Sequence, residues 1–428
     1  MIPDRSPTAL RRAKFGLDAA NFFLSDVRTG LGPYLAIYLL TVEKWDQQSI
    51  GVVMSIATIA GVVAQTPAGA LVDATRAKRA LMAVAAVTVT VACLFLPWFP
   101  FFWPVAVSQA AAQAAATVFG PALTAVTLGI VGRDLFTRRI GRNEFFNHAG
   151  NAFAAGAAGL AAYWVGPVAV FYLLAATAAA SLLSVPIIPG AAIDHDVACG
   201  LDEAGNSTAT QTHERPSGWT ALLSCRPLLI FAICVVLFHL SNAAMLPLVG
   251  QQLASQNEKL GTTLMSVCIV AAQVVMLPMA LLVGAKADSW GHKPLFLLGL
   301  LVLAARGMLY TLSDNPFWLM GVQLLDGVGA GIFGTIFPII VADVTHGTGR
   351  FNLAQGAINT ALGIGAALST SLAGFVVVRG GYHAAFLTLG AVALAGLALF
   401  FVAMPETKGW QDNRGGNIES PIGNRKRE

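Results

Sequence analysis

The stretch GALVDATRAKR, Gly69–Arg79, is written again as GAKADSWGHKP, Gly284–Pro294, half a chain later. Each copy sets Gly, then Asp four residues on, then basic residues between two long apolar runs. A second pair of segments repeats at nearly the same distance: QAAAQAAATVFGP from Gln109 matches QLLDGVGAGIFGTIFP from Gln323. Asp73 and Asp288 are 215 residues apart, and Gln109 and Gln323 are 214. Two agreeing offsets describe a chain built from one unit used twice.

That unit is apolar. Of 428 residues, 56% are hydrophobic and 11% charged, where a soluble domain carries about 25% charged residues. A membrane-crossing helix needs about 20 largely apolar residues. Twelve such windows are expected, near 15–40, 48–71, 80–98, 102–131, 144–165, 167–188, 224–251, 261–284, 294–312, 316–342, 352–378 and 383–403. Strands of a barrel would alternate over segments of about ten residues, and these runs do not. The fold class is therefore an all-α integral membrane protein with twelve transmembrane helices in two pseudo-symmetric six-helix bundles. The expected division is an N-terminal bundle over 1–189, a cytoplasmic linker over 190–220, a C-terminal bundle over 221–405 and a cytoplasmic tail over 406–428.

Charge sets the expected orientation. Twenty-one of the 26 Lys and Arg fall in the N-terminus, in alternate loops and in the tail. The positive-inside rule puts those segments, and both termini, in the cytoplasm of an inner or plasma membrane protein. The net charge of +4 reports topology, and no nucleic-acid partner follows from it. The first helix contains Asp18, Asp26 and Arg28, which is unlike the short apolar core of a cleaved leader. The five cysteines imply no disulfide or metal cluster. Residues 190–220 are polar, acidic and Gly-, Ser- and Thr-rich, and read as a flexible linker. The NST pattern at Asn206 lies in that linker and reads as chance.

The repeated loop, Gly69, Asp73, Arg76 and Arg79 in one copy and Gly284, Asp288, Gly291 and Lys293 in the other, resembles the signature of the major facilitator superfamily. The first copy has Arg76 where the signature's second Gly is usual. The resemblance covers about residues 15–403 and implies a transporter whose halves move against each other. It also implies that the first, second, fourth and fifth helices of each half surround a central cavity. Gln109 stands where the family's fourth helix carries an Arg, so that residue's proton role does not transfer. The fifth helix keeps Gly150, Gly156 and Gly159 without the Pro of the family's antiporters. In physical terms, Gly allows close helix approach. Asp can accept from a neighbouring helix N-terminus, and basic residues hold the loop at an anionic leaflet. Such contacts form a reversible gate.

Ionisable groups at membrane depth cost roughly 2.5–3.5 kcal/mol each on insertion scales, so each calls for a partner, water or a task. Asp18, Asn21, Ser25 and Arg28 form one stripe of the first helix, with Asp26 one step aside. Asp26, Asp326 and His239 are the proton-coupling candidates. Arg28, Asn21, Gln109, Gln113, Asn151, Asn242 and Asn359 are the candidate cavity contacts. Arg306 reads as structural, snorkelling or paired with a neighbour, and His148 as near the cytoplasmic end of its helix. The expected function is secondary active transport of a small molecule by alternating access. Proton-coupled efflux of amphipathic compounds, an antiport, is placed ahead of proton-coupled or facilitated uptake of a sugar, organic acid or other metabolite. A non-transporting membrane sensor or assembly protein is the reading from another class. No nucleotide loop, zinc pattern or nucleophile motif marks an enzyme, and no cofactor is implied. The expected partners are a solute, protons and the bilayer, with the protein a monomer.

Overall fold

The computed structural model describes residues 6–29, 32–166, 168–201, 225–256 and 258–408. The linker residues 202–220, with Asn206, and the tail residues 409–428 lie outside them. Fourteen helices are described: α1 Pro7–Thr29, α2 Gly32–Thr41, α3 Gln47–Ala74, α4 Lys78–Phe95, α5 Phe102–Ala116, α6 Phe119–Val131 and α7 Phe136–Trp164. There follow α8 Ala169–Ser184, α9 Arg226–Asn242, α10 Met245–Gln256, α11 Glu258–Trp290, α12 His292–Leu309, α13 Pro316–Val344 and α14 Phe351–Ala403.

These make the twelve crossings. The first, fourth and seventh spans are each two helices, α1 with α2, α5 with α6 and α9 with α10. In the fourth, Pro121 has no N–H for the carbonyl of Thr117, and the helix tightens to a Val118 N to Ala115 O bond at that point. The eleventh and twelfth spans are both in α14, which turns at Gly381 with φ of 77°. Only Gly enters that region without a Cβ penalty. Among the described residues, nine helical segments are long and apolar enough to cross a membrane.

The lipid-facing side is legible helix by helix. On α4, Met82, Ala85, Val89 and Cys93 are buried, while Val84, Val87, Val91 and Phe95 are exposed. Apolar residues on the outside as well as the inside mark a helix solvated by hydrocarbon. Trp98 and Trp103 are exposed together at one end of α4 and α5, as an interfacial belt requires.

Buried apolar residues form two clusters. One draws on residues 13 to 198. The other runs through the second half and takes in Leu128, Phe136, Ile140 and Val197 of the first. The halves thus share core at the end that carries the basic loops, called here the basic end.

Two expectations change. The fifth span starts at Phe136, well before the expected 144, because Asp18 on α1 neutralises the arginines of the added turns. Arg139 Nη2 lies 2.7 Å from Asp18 Oδ1, and Arg142 Nη2 lies 2.8 Å from Oδ2. Nor is the linker flexible over residues 190–201. That segment makes two short 3-10 turns, Gly190–Ala192 and Val197–Cys199, and buries Ala192, Ile193, Val197 and Ala198. Few apolar side chains suffice because the docking is largely through the backbone: Asp194 N donates to Gly129 O at 2.9 Å and Gly347 N to Gly200 O at 2.7 Å.

Candidate functional site: a closed gate below a polar cavity

The first copy of the repeated motif lies on the seam between the halves at the basic end, and the two copies make different contacts. Asp73 ends α3 and reaches across to the start of α14. Its carboxylate accepts from Leu353 N at 2.8 Å, Asn352 N at 3.3 Å and Asn352 Nδ2 at 2.7 Å. A carboxylate at N2 and N3 of a helix satisfies free N–H donors and faces the positive end of the dipole. Gly69, one turn back, lets the Asn352 carbonyl approach so closely that a Cβ would lie 2.1 Å from its oxygen. Arg79 donates to Ile188 O at 2.6 Å, and Arg76 is exposed.

In the second copy Asp288 is exposed and 3.7 Å from His292 on its own side of the molecule. Here the helix start is capped by Glu406, whose carboxylate accepts from His292 N and Lys293 N at 2.9 and 3.1 Å. Gly291, at φ of 89°, leaves room for that carboxylate. Lys293 Nζ donates to Phe401 O at 2.8 Å. Gly284 serves the seam instead, its Cα 2.6 Å from where a Cβ on Gly141 would stand.

Further seam contacts continue the seal toward mid-membrane. Thr66 and Thr360 share a hydrogen bond at 2.9 Å, Gln355 Nε2 donates to Thr124 Oγ1 at 2.7 Å, and Gly356 packs on the Gln65 carbonyl. Beyond them opens a cavity of about 320 Å³. Arg28, Thr58, Gln65, Gln113 and Thr117 line it from the first half, and Asn359 from the second.

The candidate residues thus separate. Arg28, Gln113 and Asn359 meet in the cavity, joined by Gln65. Asn21 is buried and bonds its own helix at Leu17 O. Gln109 is buried, with Nε2 unpartnered among the described residues. Asn151 and Asn242 are half-buried on α7 and α9 and do not line the cavity. His239 sits edge-on to Phe333 with ring centres 4.9 Å apart. Neither aspartate put forward for protons faces the cavity. Asp26 turns toward the sixth span, where Thr177 Oγ1 donates to it at 2.7 Å. Asp326 pairs with Arg306, the pairing alternative for that arginine, and accepts from Gln323 Nε2 at 2.9 Å. Both lie inside their own half because their partners, Thr177 and Arg306, are on outer helices that no spacing within one helix reveals.

Sequence reasoning missed Glu144 and its grouping with Asn147 and His148 on α7. Glu144, Asn147 and His148 fall at i, i+3 and i+4, one face of a helix. Asn147 Nδ2 donates to Glu144 Oε2 at 3.0 Å, Arg28 Nη1 donates to Asn147 Oδ1 at 3.4 Å, and His148 Nδ1 bonds Gln273 Oε1 of the other half at 3.0 Å. The spacing was readable, but Glu144 stood at the expected edge of the span.

The model of the Major Facilitator Superfamily matches residues 17–305 and 231–427, the whole two-half frame. The chain belongs to that superfamily. It is 59% identical over 396 residues to an "uncharacterized MFS-type transporter" found in two strains of Mycobacterium tuberculosis, covering 92% of this chain and 94% of the relative. The proton:xylose symporter XylE, solved with 6-bromo-6-deoxy-D-glucose, shares the fold with a TM-score of 0.71 at 13% identity, over 94% of this chain and 96% of its own. The human organic anion transporter MFSD10 does so with 0.65 at 14%, over 92% and 100%. This superfamily member is a multi-pass membrane transporter, seen with its basic end shut.

Proposed function

We propose that the chain is a proton-coupled secondary transporter of a small polar solute, working by alternating access as a monomer in the inner membrane with both termini cytoplasmic. The observation that carries this is the polar cavity directly above a gate made of reversible contacts between halves. Bundles that rock about such a site expose it to one side at a time. The distribution of basic residues supports the orientation, which puts the closed end on the cytoplasmic side.

The lining bears on the solute. A volume of about 320 Å³ is at the small end for ligand sites, which run about 300–1,000 Å³ and are mostly apolar. A guanidinium, three amides and two threonine hydroxyls around so small a space favour uptake of a sugar, organic acid or similar metabolite over efflux of an amphipathic compound. Arg28, Gln65, Gln113 and Asn359 are its proposed contacts. Arg28 puts a fixed charge at the site itself, which favours a polar solute over the amphipathic one expected from the sequence.

The test is purified protein in liposomes holding a pH-sensitive dye, challenged with sugars, organic acids, amino acids and amphipathic drugs. Proton flux elicited by small polar solutes, abolished by Asn359→Leu, is the expected result. Flux with amphipathic drugs alone would overturn the solute class. Folded protein that moves neither protons nor labelled solute would overturn transport.

A further inference from the structure

Glu144 is a carboxylate at the seam between the halves. Its Oε2 lies 3.5 Å from where a Cβ on Gly334 of α13 would stand, so the two halves meet across it. His148 Nδ1 donates to Gln273 Oε1, which leaves the lone pair of a neutral ring on Nε2. That nitrogen is buried without a hydrogen-bond partner among the described residues, and it faces Glu144 Oε2 at 3.9 Å. Two acceptors, one of them a carboxylate, therefore face one another. A proton taken up by either one turns it into a donor facing the other.

The same Oε2 also accepts from Asn147, whose Oδ1 accepts from Arg28 in the cavity wall. One amide therefore connects the solute cavity to the seam carboxylate.

We propose that Glu144 and His148 form the proton site of this transporter, that Arg28 binds an anionic group on the solute, and that Asn147 couples the two. The assignment rests on the proposed transport function. With the cavity empty, the Arg28 cation supports an ionised Glu144 through the oriented Asn147 amide. A solute carboxylate on Arg28 cancels that cation and draws the guanidinium from Asn147. The ionised form of Glu144 loses its support, and a proton from water binds Oε2, on the side that faces His148 Nε2. Coupling is reciprocal, so a proton at Glu144 frees Arg28 for the solute. Anion and proton then travel together, which makes the cycle a symport and cancels one negative charge on the solute. The seam opens when the halves rock, which gives the proton access to the second side.

The other charged groups described on α7 and the helices packed against it are engaged elsewhere or exposed. Asp18 of α1 holds Arg139 and Arg142. On α13, Asp326 pairs with Arg306 and Asp343 lies 2.8 Å from His292. On α11, Asp288 neighbours His292 and Lys286 is exposed. Helices α6 and α8 contain no charged residue.

Calorimetry in detergent tests this without any gradient. The probes are lactate and benzoate, with lactamide and benzamide as neutral counterparts, between pH 6 and 8, where both acids stay ionised. The carboxylates are expected to bind at least tenfold tighter than the amides at pH 6, with Kd rising toward tenfold per pH unit once Glu144 is ionised before binding. Heats in two buffers of different ionisation enthalpy should count up to one proton taken up per probe, a result that needs no variant. Arg28→Gln should remove the preference for carboxylates. Glu144→Gln should keep that preference and lose both the pH slope and the proton uptake. Amides binding as well as carboxylates, neither probe acid binding, or a pH slope that survives in Glu144→Gln would each overturn the assignment. Probe binding with proton uptake but no flux in liposomes would fail the transport reading alone. Proton-coupled flux of a solute that binds without proton uptake would fail this assignment alone.

Discussion

At the scale of single residues, the two aspartates of the repeated motif show how identical chemistry diverges by neighbourhood. Asp73 meets the N-terminus of α14 and contributes a charge there, while Asp288 is exposed beside His292. Asp73→Asn keeps the size of the side chain and loses the charge. Charge at a helix N-terminus stabilises by about 0.3–1 kcal/mol when exposed and up to about 2 kcal/mol when partly buried. Removing it should shift the gate toward opening at the basic end several-fold. The readout is the reaction of a cysteine placed at Thr66, buried on the seam, compared with one at Asn359 in the cavity, the first speeding up and the second slowing. The Arg306 and Asp326 pair differs in kind. Arg306 is almost wholly buried, so Asp326→Ala strands a cation within the second half. Breaking such a pair costs about 3–5 kcal/mol. Thermal unfolding in detergent should fall sharply for Asp326→Ala and recover in part when Arg306→Leu is added.

At the scale of elements, the segment 190–201 is a strap across the closed gate. It bonds the first half at Gly129 and the second at Gly347, and Asn352 Nδ2 donates to Ala198 O at 3.0 Å. Cys199 donates to the Asp73 carbonyl at 3.3 Å, and burial pushes its thiol up, away from the reactive thiolate. Opening the basic end should release the strap and speed maleimide labelling of Cys199. Burial, Lys78 and Arg76 together push His195 below its ordinary value of 6.5. The docked strap therefore holds His195 neutral, and the released strap lets it take a proton. Docking is at full strength above about pH 6.5 and weakens as pH falls through it. Labelling at each pH, scaled to the rate in denaturant, should rise from pH 7.5 to 5.5 and stay flat in His195→Asn.

At the scale of the whole molecule, the closed state is one body joined at one end. Thr66 and Thr360 lie on the seam with their hydroxyls in contact, and each is on a helix that must part for the solute to leave at the basic end. Cysteines at both positions should cross-link on oxidation, stop flux in liposomes and regain it on reduction. An oxidised pair that transports as before would refute the closed-gate reading. The spans, the duplication and the gate motif were legible in the amino-acid order, because bilayer thickness and helical rise act on each stretch alone. Arg28, Gln113 and Asn359 were legible as polar groups at membrane depth for the same reason. Their meeting in one cavity was not, nor was the turning of Asp26 and Asp326 into their own halves. Those outcomes depend on which helix lies opposite, and Thr177, Arg306 and Asn147 are far along the chain or on another face. Glu144 was hidden because a span edge set by hydropathy excludes turns whose arginines Asp18 neutralises from another helix. The sequence by itself determined a doubled twelve-span membrane protein with the same Gly and Asp loop in each half. Only the tertiary structure decided which gate engages the other half and which carboxylate stands at the seam, since a charge's role follows from what packs against it.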